Sequence, residues 1–321
     1  MKELITVIIN VYNGEKYIKN CLDCIINQTY KNLEILIIND GSTDNTLKIC
    51  EEYKDKRIRI ITTKNQGLSL SRNTGIDNSK GKYLYFIDVD DCIELDTIEY
   101  LHHLIKKYKA KMSTCKNIDS DDYNKTIKNK NEKIEVLDKK EMLKKVLITT
   151  NREVAIWNKL IKKELFDNLR FENRPINDIA FTYKLILKTK NIVYSNQIKY
   201  LHINNCESIS NIKSNDETRE IDRYKVCIER YKYIKKKYPE LIENDIALIQ
   251  IISRLYSKKN KKIKEYLIEN NALKKYKKIF SLEKIKKCKL KKSTKIKLIL
   301  FRINPKLHNI IVNKCLKLKE R

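Results

Sequence analysis

The stretch from Lys82 to Asp91, KYLYFIDVDD, constrains this chain more than any other. Tyr83, Leu84, Tyr85, Phe86 and Ile87 form a nearly unbroken run of apolar β-formers, which predicts an interior strand covered on both faces. The run ends in three carboxylates within four residues, Asp88, Asp90 and Asp91. Like charges at close range disfavour one another's ionisation, so acid clustered at the mouth of a buried strand asks for a positive partner. A divalent cation arriving with phosphate oxygens answers that need, because a hard cation accepts both kinds of oxygen. Asp88 and Asp90 lie two apart and point the same way in extended chain. Taken alone, an acidic turn followed by a helix capped at Asp96 accounts for the same residues.

What precedes the stretch gives it weight. Leu4 to Ile9 reads as a short strand, Val11 to Gly14 (VYNG) as a turn, and Tyr17, Ile18, Cys21, Leu22 and Ile25 as one face of a helix. Leu33 to Ile38 is a second strand, running into a Gly41 turn where Ser42 or Thr43 is expected to cap a helix from Asp44 to about Tyr53. Ile58 to Ile61 is a third strand. Asn65, Gln66 and Gly67 then turn the chain into a helix carrying Ser71, Arg72, Asn73 and Gly75. This alternation predicts an α/β fold with a mostly parallel, open sheet flanked by helices. Such sheets bind ligands at the carboxyl ends of their strands. The unusual polar residues fall at those ends: Asn13, Asp40, Asn65 with Gln66, and Asp88 with Asp90. No G-x-G-x-x-G follows the first strand, which excludes a nicotinamide or flavin site of the usual kind.

Further on, Ile98 to Tyr108 carries a helical stripe, Lys111 to Asn117 is a candidate fifth strand, and the polar residues 119–134 read as a loop or weak hairpin at the rim. A helix resumes over Asp138 to Ile148. Trp157 is assigned by default to packing in the core or at the rim, with stacking on a substrate as the alternative, and Pro175, Asn177 and Asp178 mark another helix start. Ile192 to Tyr194 and Ile198 to Ile203 are the last strands expected, the second containing His202. From about Ser214 the chain is helical and basic. Residues 251–321 hold 24 Lys+Arg against 4 Asp+Glu, a net +20 of the whole chain's +28. The nine cysteines are scattered, and Cys21 and Cys24 fall within a helical pattern as two buried thiols. No apolar run approaches the roughly 18–20 residues of a membrane span, and no signal peptide opens the sequence, so a cytoplasmic protein, soluble or peripheral, is expected. Two other classes compete. A nucleotidyltransferase acting on sugar phosphates shares the sheet and the paired acids, but no Gly-rich basic loop follows the first strand to hold a triphosphate. A nucleic-acid-binding protein would suit the charge, yet the basic residues are not interleaved with exposed aromatics, and no nucleic-acid partner is expected.

The segments VIINVYNGEKYI from Val7, NQTYKNLEILIINDGSTDNT from Asn27, NQGLSLSRNTGI from Asn65 and GKYLYFIDVDD from Gly81 occur together in this order. As a set over residues 4–96 they resemble the inverting, nucleotide-sugar-dependent glycosyltransferases of family 2, which have the GT-A fold. The likeness continues more loosely through WNKL at 157–160, NDIAF at 177–181 and SIS at 208–210, a pattern of members that build bacterial surface polysaccharides. It implies a catalytic domain over 1–213, divided into a nucleotide-sugar half (1–96) and an acceptor half (97–213), and a basic helical region over 214–321. It also implies a nucleotide-diphosphate-sugar donor, expected to be UDP-linked, contacted by Val11, Tyr12, Asn13, Asp40, Asn65, Arg72, Asp88 and Val89. Within that set Asp40 would accept the base's imide N–H, while Arg72 would stand near the pyrophosphate or hold the Asp40 carboxylate. Mn²⁺ or Mg²⁺ is implied on Asp90, with Asp88 and His202 as further ligand candidates. Asp178 is the implied general base toward a glycan or lipid-linked acceptor. Asp91 would support the metal site or cap the next helix. The basic residues 251–321 are expected to hold the enzyme on an anionic membrane surface, peripheral to the inner face of the cytoplasmic membrane. Two departures stand out: Asn10 replaces the family's usual proline, and the frequent acidic pair near the base is Asn177–Asp178.

Overall fold

The computed structural model describes residues 2–123, 125–129, 131–148, 153–205, 216–258, 260–277, 279, 281–305 and 307–309. The chain divides into two compact units, Met1–Met142 with Val154–Asn211 and Leu143–Glu153 with Ile212–Arg321. The SIS motif at 208–210 and everything from residue 310 onward lie outside the described residues.

The first unit is built on one sheet. Its first four strands are β1 (Ile5–Val11), β2 (Leu33–Asn39), β3 (Ile58–Thr62) and β4 (Tyr83–Asp88), arranged β3-β2-β1-β4 and all parallel. They alternate with helices α1 (Ile18–Ile26), α2 (Thr46–Glu52) and α3 (Leu68–Asn78). Every residue of β2 is buried, Glu34 and Asn39 included, and its apolar run Ile35–Ile38 suits a strand covered on both faces. On one face Ile5, Val7 and Ile9 pack with Ile18, Leu22 and Ile25 of α1 in a single core. On the other, α3 comes so close that a Cβ on Gly75 would sit 2.6 Å from Ile8 Cγ2, so glycine is needed there. That approach brings Ser71 and Arg72 of α3 up against the sheet.

Beyond β4 the sheet turns mixed, continuing β8-β6-β9-β5, with β7 also on β9. The strands are β5 (Cys92–Ile93), β6 (Met112–Ser120), β7 (Ile134–Asp138), β8 (Lys159–Lys162) and β9 (Asn191–Ile203). β8 runs antiparallel to both neighbours, while β6 and β9 are parallel. The two strands expected at 192–203 are one, with a register irregularity against β6. β5, β7 and β8 were not foreseen: β5 has two residues, β7 carries Glu135 and Asp138, β8 begins and ends on Lys159 and Lys162, and each is a strand because a neighbour completes its ladder. Helices α4 (Thr97–Lys107), α5 (Lys139–Ile148) and α6 (Asn177–Leu187) follow the expected spans.

Two expected caps fall differently. At α2 neither Ser42 nor Thr43 caps the helix; Asp44 Oδ1 accepts from the Thr46 N–H at 3.0 Å and from its hydroxyl at 2.5 Å. At α4 the Asp96 carboxylate makes no cap bond and instead takes Lys199 Nζ at 2.7 Å on both oxygens.

The second unit is helical, with helices Glu217–Lys237, Ile242–Ser257, Lys261–Glu269, Ala272–Lys277, Leu282–Lys287 and Lys292–Ile303. Its buried acids are paired: Asp245 with Lys284 at 2.7 Å and Lys235 at 3.1 Å, Glu220 with Arg254 at 2.9 Å. Among the described residues no helix is long and apolar enough to cross a membrane.

Candidate functional site

The loops after β1 and β2 are laced together at the carboxyl end of the sheet. Asn13 has φ 51°, a conformation asparagine tolerates. Its Oδ1 accepts from the Thr43 N–H at 2.8 Å, and its own N–H donates to Ser42 Oγ at 3.0 Å. The Gly14 N–H donates to Thr46 Oγ1 at 2.8 Å. Gly41 has φ 76°, and a Cβ there would lie 2.7 Å from the Asn65 nitrogen, so the second and third loops meet backbone to backbone. Asp40 is the hub of that meeting. Its Oδ1 accepts from Thr63 Oγ1 and the Gln66 N–H, both at 3.0 Å, and Oδ2 accepts from the Gly67 N–H at 2.8 Å. Val11 is buried and Val89 half-buried, whereas Asn65 is exposed and Tyr12 shows 49% of its surface.

Arg72 does not hold Asp40. It is buried in α3, with 2% of its surface exposed, and it reaches the acids at the end of β4 and the start of α6. Nη1 donates to Asp178 Oδ1 at 2.7 Å and to Asn177 Oδ1 at 3.3 Å, while Nη2 donates to Asp88 Oδ1 at 3.3 Å. Its guanidinium also lies 5.3 Å from the centre of the Phe171 ring. Burial disfavours its charge, but Asp178 and Asp88 outweigh that and raise its pKa. The single cation is not enough for Asp88, whose pKa burial pushes up to about 6, with Asp90 and Asp178 adding to the rise against Arg72.

Asp90 and Asp91 point to separate partners. Asp90 Oδ2 accepts from Asn205 Nδ2 at 3.1 Å, and Asn205 Oδ1 in turn accepts from Tyr17 OH at 3.1 Å. Tyr123 OH donates to the Asp90 carbonyl at 3.1 Å, which brings the polar rim segment over this loop. Asp91 is buried and structural, accepting from Tyr200 OH at 2.6 Å and the Ile203 N–H at 2.8 Å; burial raises its pKa first, then Asp88 and Asp90. Trp157 stacks on Tyr200 with ring centres 4.3 Å apart, the packing role its sequence suggested. His202 Nδ1 stands 3.3 Å from Asp119 Oδ1, its register partner across β6 and β9.

Asp88, Asp178 and Arg72 are therefore in direct contact, Asp90 follows on the same turn, and Asp40 belongs to the neighbouring loop pair. Asn205, Tyr17, Tyr123 and Tyr200 were missed by sequence reasoning. Nothing marks them locally, because Asn205, Tyr123 and Tyr200 reach Asp90 or Asp91 from distant parts of the chain and Tyr17 acts through Asn205. Among the described residues no group of three or more His, Cys, Asp and Glu is placed to hold a metal by itself.

The sequence model described as Glycosyl transferase family 2 matches residues 6–172. Glycosyltransferase GlyA of Streptococcus pneumoniae serotype 4 is 36% identical over 214 residues, covering 62% of this chain and 30% of GlyA. Glycosyltransferase GlyG of the same organism is 33% identical over 221 residues, covering 63% of this chain and 71% of GlyG. The match thus spans less than a third of GlyA but most of GlyG. Among solved structures, S. aureus TarS 1–349 in complex with UDP-GlcNAc superposes with a TM-score of 0.71 at 20% identity, over 99% of this chain and 92% of that one. At that identity the likeness speaks for the fold, a GT-A-like sheet flanked by helices with a helical C-terminal region.

Proposed function

The chain belongs to glycosyl transferase family 2, and from that premise we propose an inverting transferase that moves a sugar from a UDP-linked donor to a hydroxyl of a glycan or lipid-linked acceptor in cell-surface polysaccharide synthesis. One observation carries the reading. A buried guanidinium, Arg72, joins Asp88 at the end of β4 to Asp178 at the start of α6, so an acid on the donor side faces an acid from a separate element.

Asp178 then serves as general base. Arg72 holds its Oδ1, and no described residue donates to Oδ2, which is free to take the acceptor's proton. The acceptor oxygen attacks the anomeric carbon from the face opposite the nucleotide. One displacement inverts that centre, whereas a second carboxylate as nucleophile belongs to double displacement. On the donor side Asp40 Oδ2 carries one hydrogen bond and has capacity for the base's imide N–H. Val11, Tyr12, Asn13, Asn65 and Val89 line the nucleoside.

Asp90 fits a hard divalent cation, since it offers carboxylate oxygen and Asn205 fixes its orientation. With no protein-only cage among the described residues, a cation there would share its remaining positions with diphosphate and water. Mn²⁺ or Mg²⁺ on Asp90, flanked by Asp88 and His202 as further ligand candidates, would supply Lewis-acid stabilisation of the leaving diphosphate. The basic residues 251–321 hold the enzyme peripherally on the inner face of the cytoplasmic membrane in this reading. Calorimetry of UDP with Mn²⁺ and with chelator, followed by transfer from a panel of UDP-sugars with the product anomer assigned by NMR, tests it. A product that retains the donor's configuration overturns the single-displacement mechanism. Equal UDP affinity with chelator present overturns the metal.

A further inference from the structure

None of the 36 residues from 284 to 319 is Asp or Glu, while 13 of them are Lys or Arg. A lysine-rich composition explains the second number but not the first. At the chain's overall share of 41 acids in 321 residues, roughly five would be expected in a stretch of this length.

Within this stretch the Lys292–Ile303 helix has two apolar faces. Leu298 and Phe301 form the first, each 2% exposed, and the Phe301 ring meets Tyr256 at 5.7 Å and His308 at 5.1 Å. This face holds the helix in its unit. Ile296 and Ile303 form the second, 58% and 70% exposed. Seven residues apart, they share one stripe with Lys292 and the half-buried Ile299. Four of the nine large apolar side chains exposed among the described residues, Leu282, Ile296, Ile303 and Leu307, lie between 282 and 307. Lys292, on the stripe, and Lys297, beside it, are both exposed. Lys295 and Lys284 are engaged elsewhere, on the Lys286 carbonyl and on Asp245, both at 2.7 Å.

We propose that the exposed stripe of the Lys292–Ile303 helix docks on an anionic phospholipid bilayer, with Ile296 and Ile303 entering the headgroup region and Lys292 and Lys297 meeting lipid phosphates. The inference rests on the membrane reading of residues 251–321 and narrows it to one helix face. Charge complementarity selects the occupant. A second copy would bring acid-free basic flanks against one another, and nucleic acid would use the lysines but leave the isoleucines in water. A bilayer of anionic lipid satisfies both kinds of side chain at once.

The test is co-sedimentation of the full chain with phosphatidylcholine vesicles, with and without phosphatidylglycerol. Binding is expected only to the anionic vesicles and should weaken in high salt. The double variant Ile296→Ser/Ile303→Ser should bind at least about tenfold more weakly, and Lys292→Gln/Lys297→Gln about tenfold more weakly at low salt. Ile268→Ser, exposed on a different helix, should bind like wild type. Neither double variant should melt earlier, because these side chains contribute nothing to the unit's interior. Unchanged vesicle binding by the isoleucine variant overturns the proposal. So does a wild-type dimer, seen by light scattering, that the same variant dissociates, or RNA binding lost on Lys292→Gln/Lys297→Gln while vesicle binding stays intact. The two readings fail separately. Transfer from UDP-sugar to a soluble acceptor, measured without vesicles, should be the same in all variants. Its absence from wild type with vesicle docking intact would sink the transferase reading alone.

Discussion

At the lower end of the parallel half-sheet Glu34 meets Arg59; at the upper end Asp88 meets Arg72. Among the described residues Glu34 is the one acid that Arg59 serves, although Arg59 Nη1 also donates to the Asn78 carbonyl at 3.2 Å, and Glu34 has two further donors, Thr6 Oγ1 at 2.6 Å and the Lys80 N–H at 2.7 Å. Burial works against its charge, yet Thr6, Lys80 and Arg59 together hold its pKa below the usual carboxylate range. Asp88 shares its arginine with Asp178 and has Asp90 beside it, and its pKa moves the other way. Both carboxylates sit against a guanidinium at a strand end. They differ in the number of acids each cation must serve. A carboxylate with undivided partners is a joint, and one with a divided partner keeps capacity for a further positive charge.

The largest effect expected from this contrast is at Asp178. Asp178→Asn should lower turnover by roughly 10²–10⁴-fold, the usual worth of a positioned proton acceptor. UDP affinity and the melting midpoint should hold, because the amide keeps an oxygen for Arg72 and removes one of its competing acids. Single-turnover kinetics beside calorimetry separate the two. Turnover near wild type would make the Arg72–Asp178 contact another joint and erase the distinction.

Next comes the shared cation. Arg72→Met leaves Asp88 and Asp178 without their common counter-ion and should cost about 3 kcal/mol in urea unfolding. Arg59→Met should cost about 1 kcal/mol, since Arg59 is 36% exposed and water replaces much of what it gives Glu34. The reverse order would mean that the upper acids are better satisfied than their geometry indicates.

The parallel half of the fold was legible because its strands are dominated by β-branched and other apolar residues, with Glu34 and Arg59 as single interruptions, and three of the four run into Asn, Asp or Gly. The mixed half was not. Lys159–Lys162 and Ile134–Asp138 have no apolar run of their own and become strands through neighbours far away in sequence. The site divides in the same way. Asp88, Asp90 and Asp40 announce themselves by closing apolar strands, and Asp178 by a family motif. That Arg72 turns toward Asp88 and Asp178 and away from Asp40 depends on how α3 lies on β1, which spacing along the chain does not encode. Asn205 reaches Asp90 from 115 residues away.

Glu34 gives a smaller effect with a sign fixed by linkage. Its folded-state pKa is depressed, so its contribution is complete above the unfolded-state value and is lost as pH falls through the folded-state value. Glu34→Gln should lower stability by about 1–2 kcal/mol at neutral pH, because a charge-assisted set of bonds becomes a neutral one. The gap between the two proteins should close as pH falls through the depressed folded-state pKa of Glu34. Transfer at neutral pH should be unchanged. A gap that stays constant with pH would mean that Glu34 is protonated in the fold, and the lower joint would resemble the upper cluster after all.

The smallest effect probes where the joint ends and the site begins. Asn10 stands where the family usually has proline, and its Nδ2 donates to Ser71 Oγ at 2.7 Å, one residue before Arg72. By position this bond belongs to the upper end, but its partners are undivided like those of Glu34. Asn10→Ala removes one neutral hydrogen bond to a buried hydroxyl and should cost about 1 kcal/mol. Turnover and UDP affinity should stay within about twofold of wild type. Arg72 keeps its aim because α3 is anchored a second time: Asn73 Nδ2 donates to the Phe171 carbonyl at 2.9 Å and its Oδ1 accepts the Phe171 N–H at 2.8 Å. A tenfold loss of turnover with stability intact would instead show that Asn10 aims Arg72, and the functional cluster would extend from the acids back into β1.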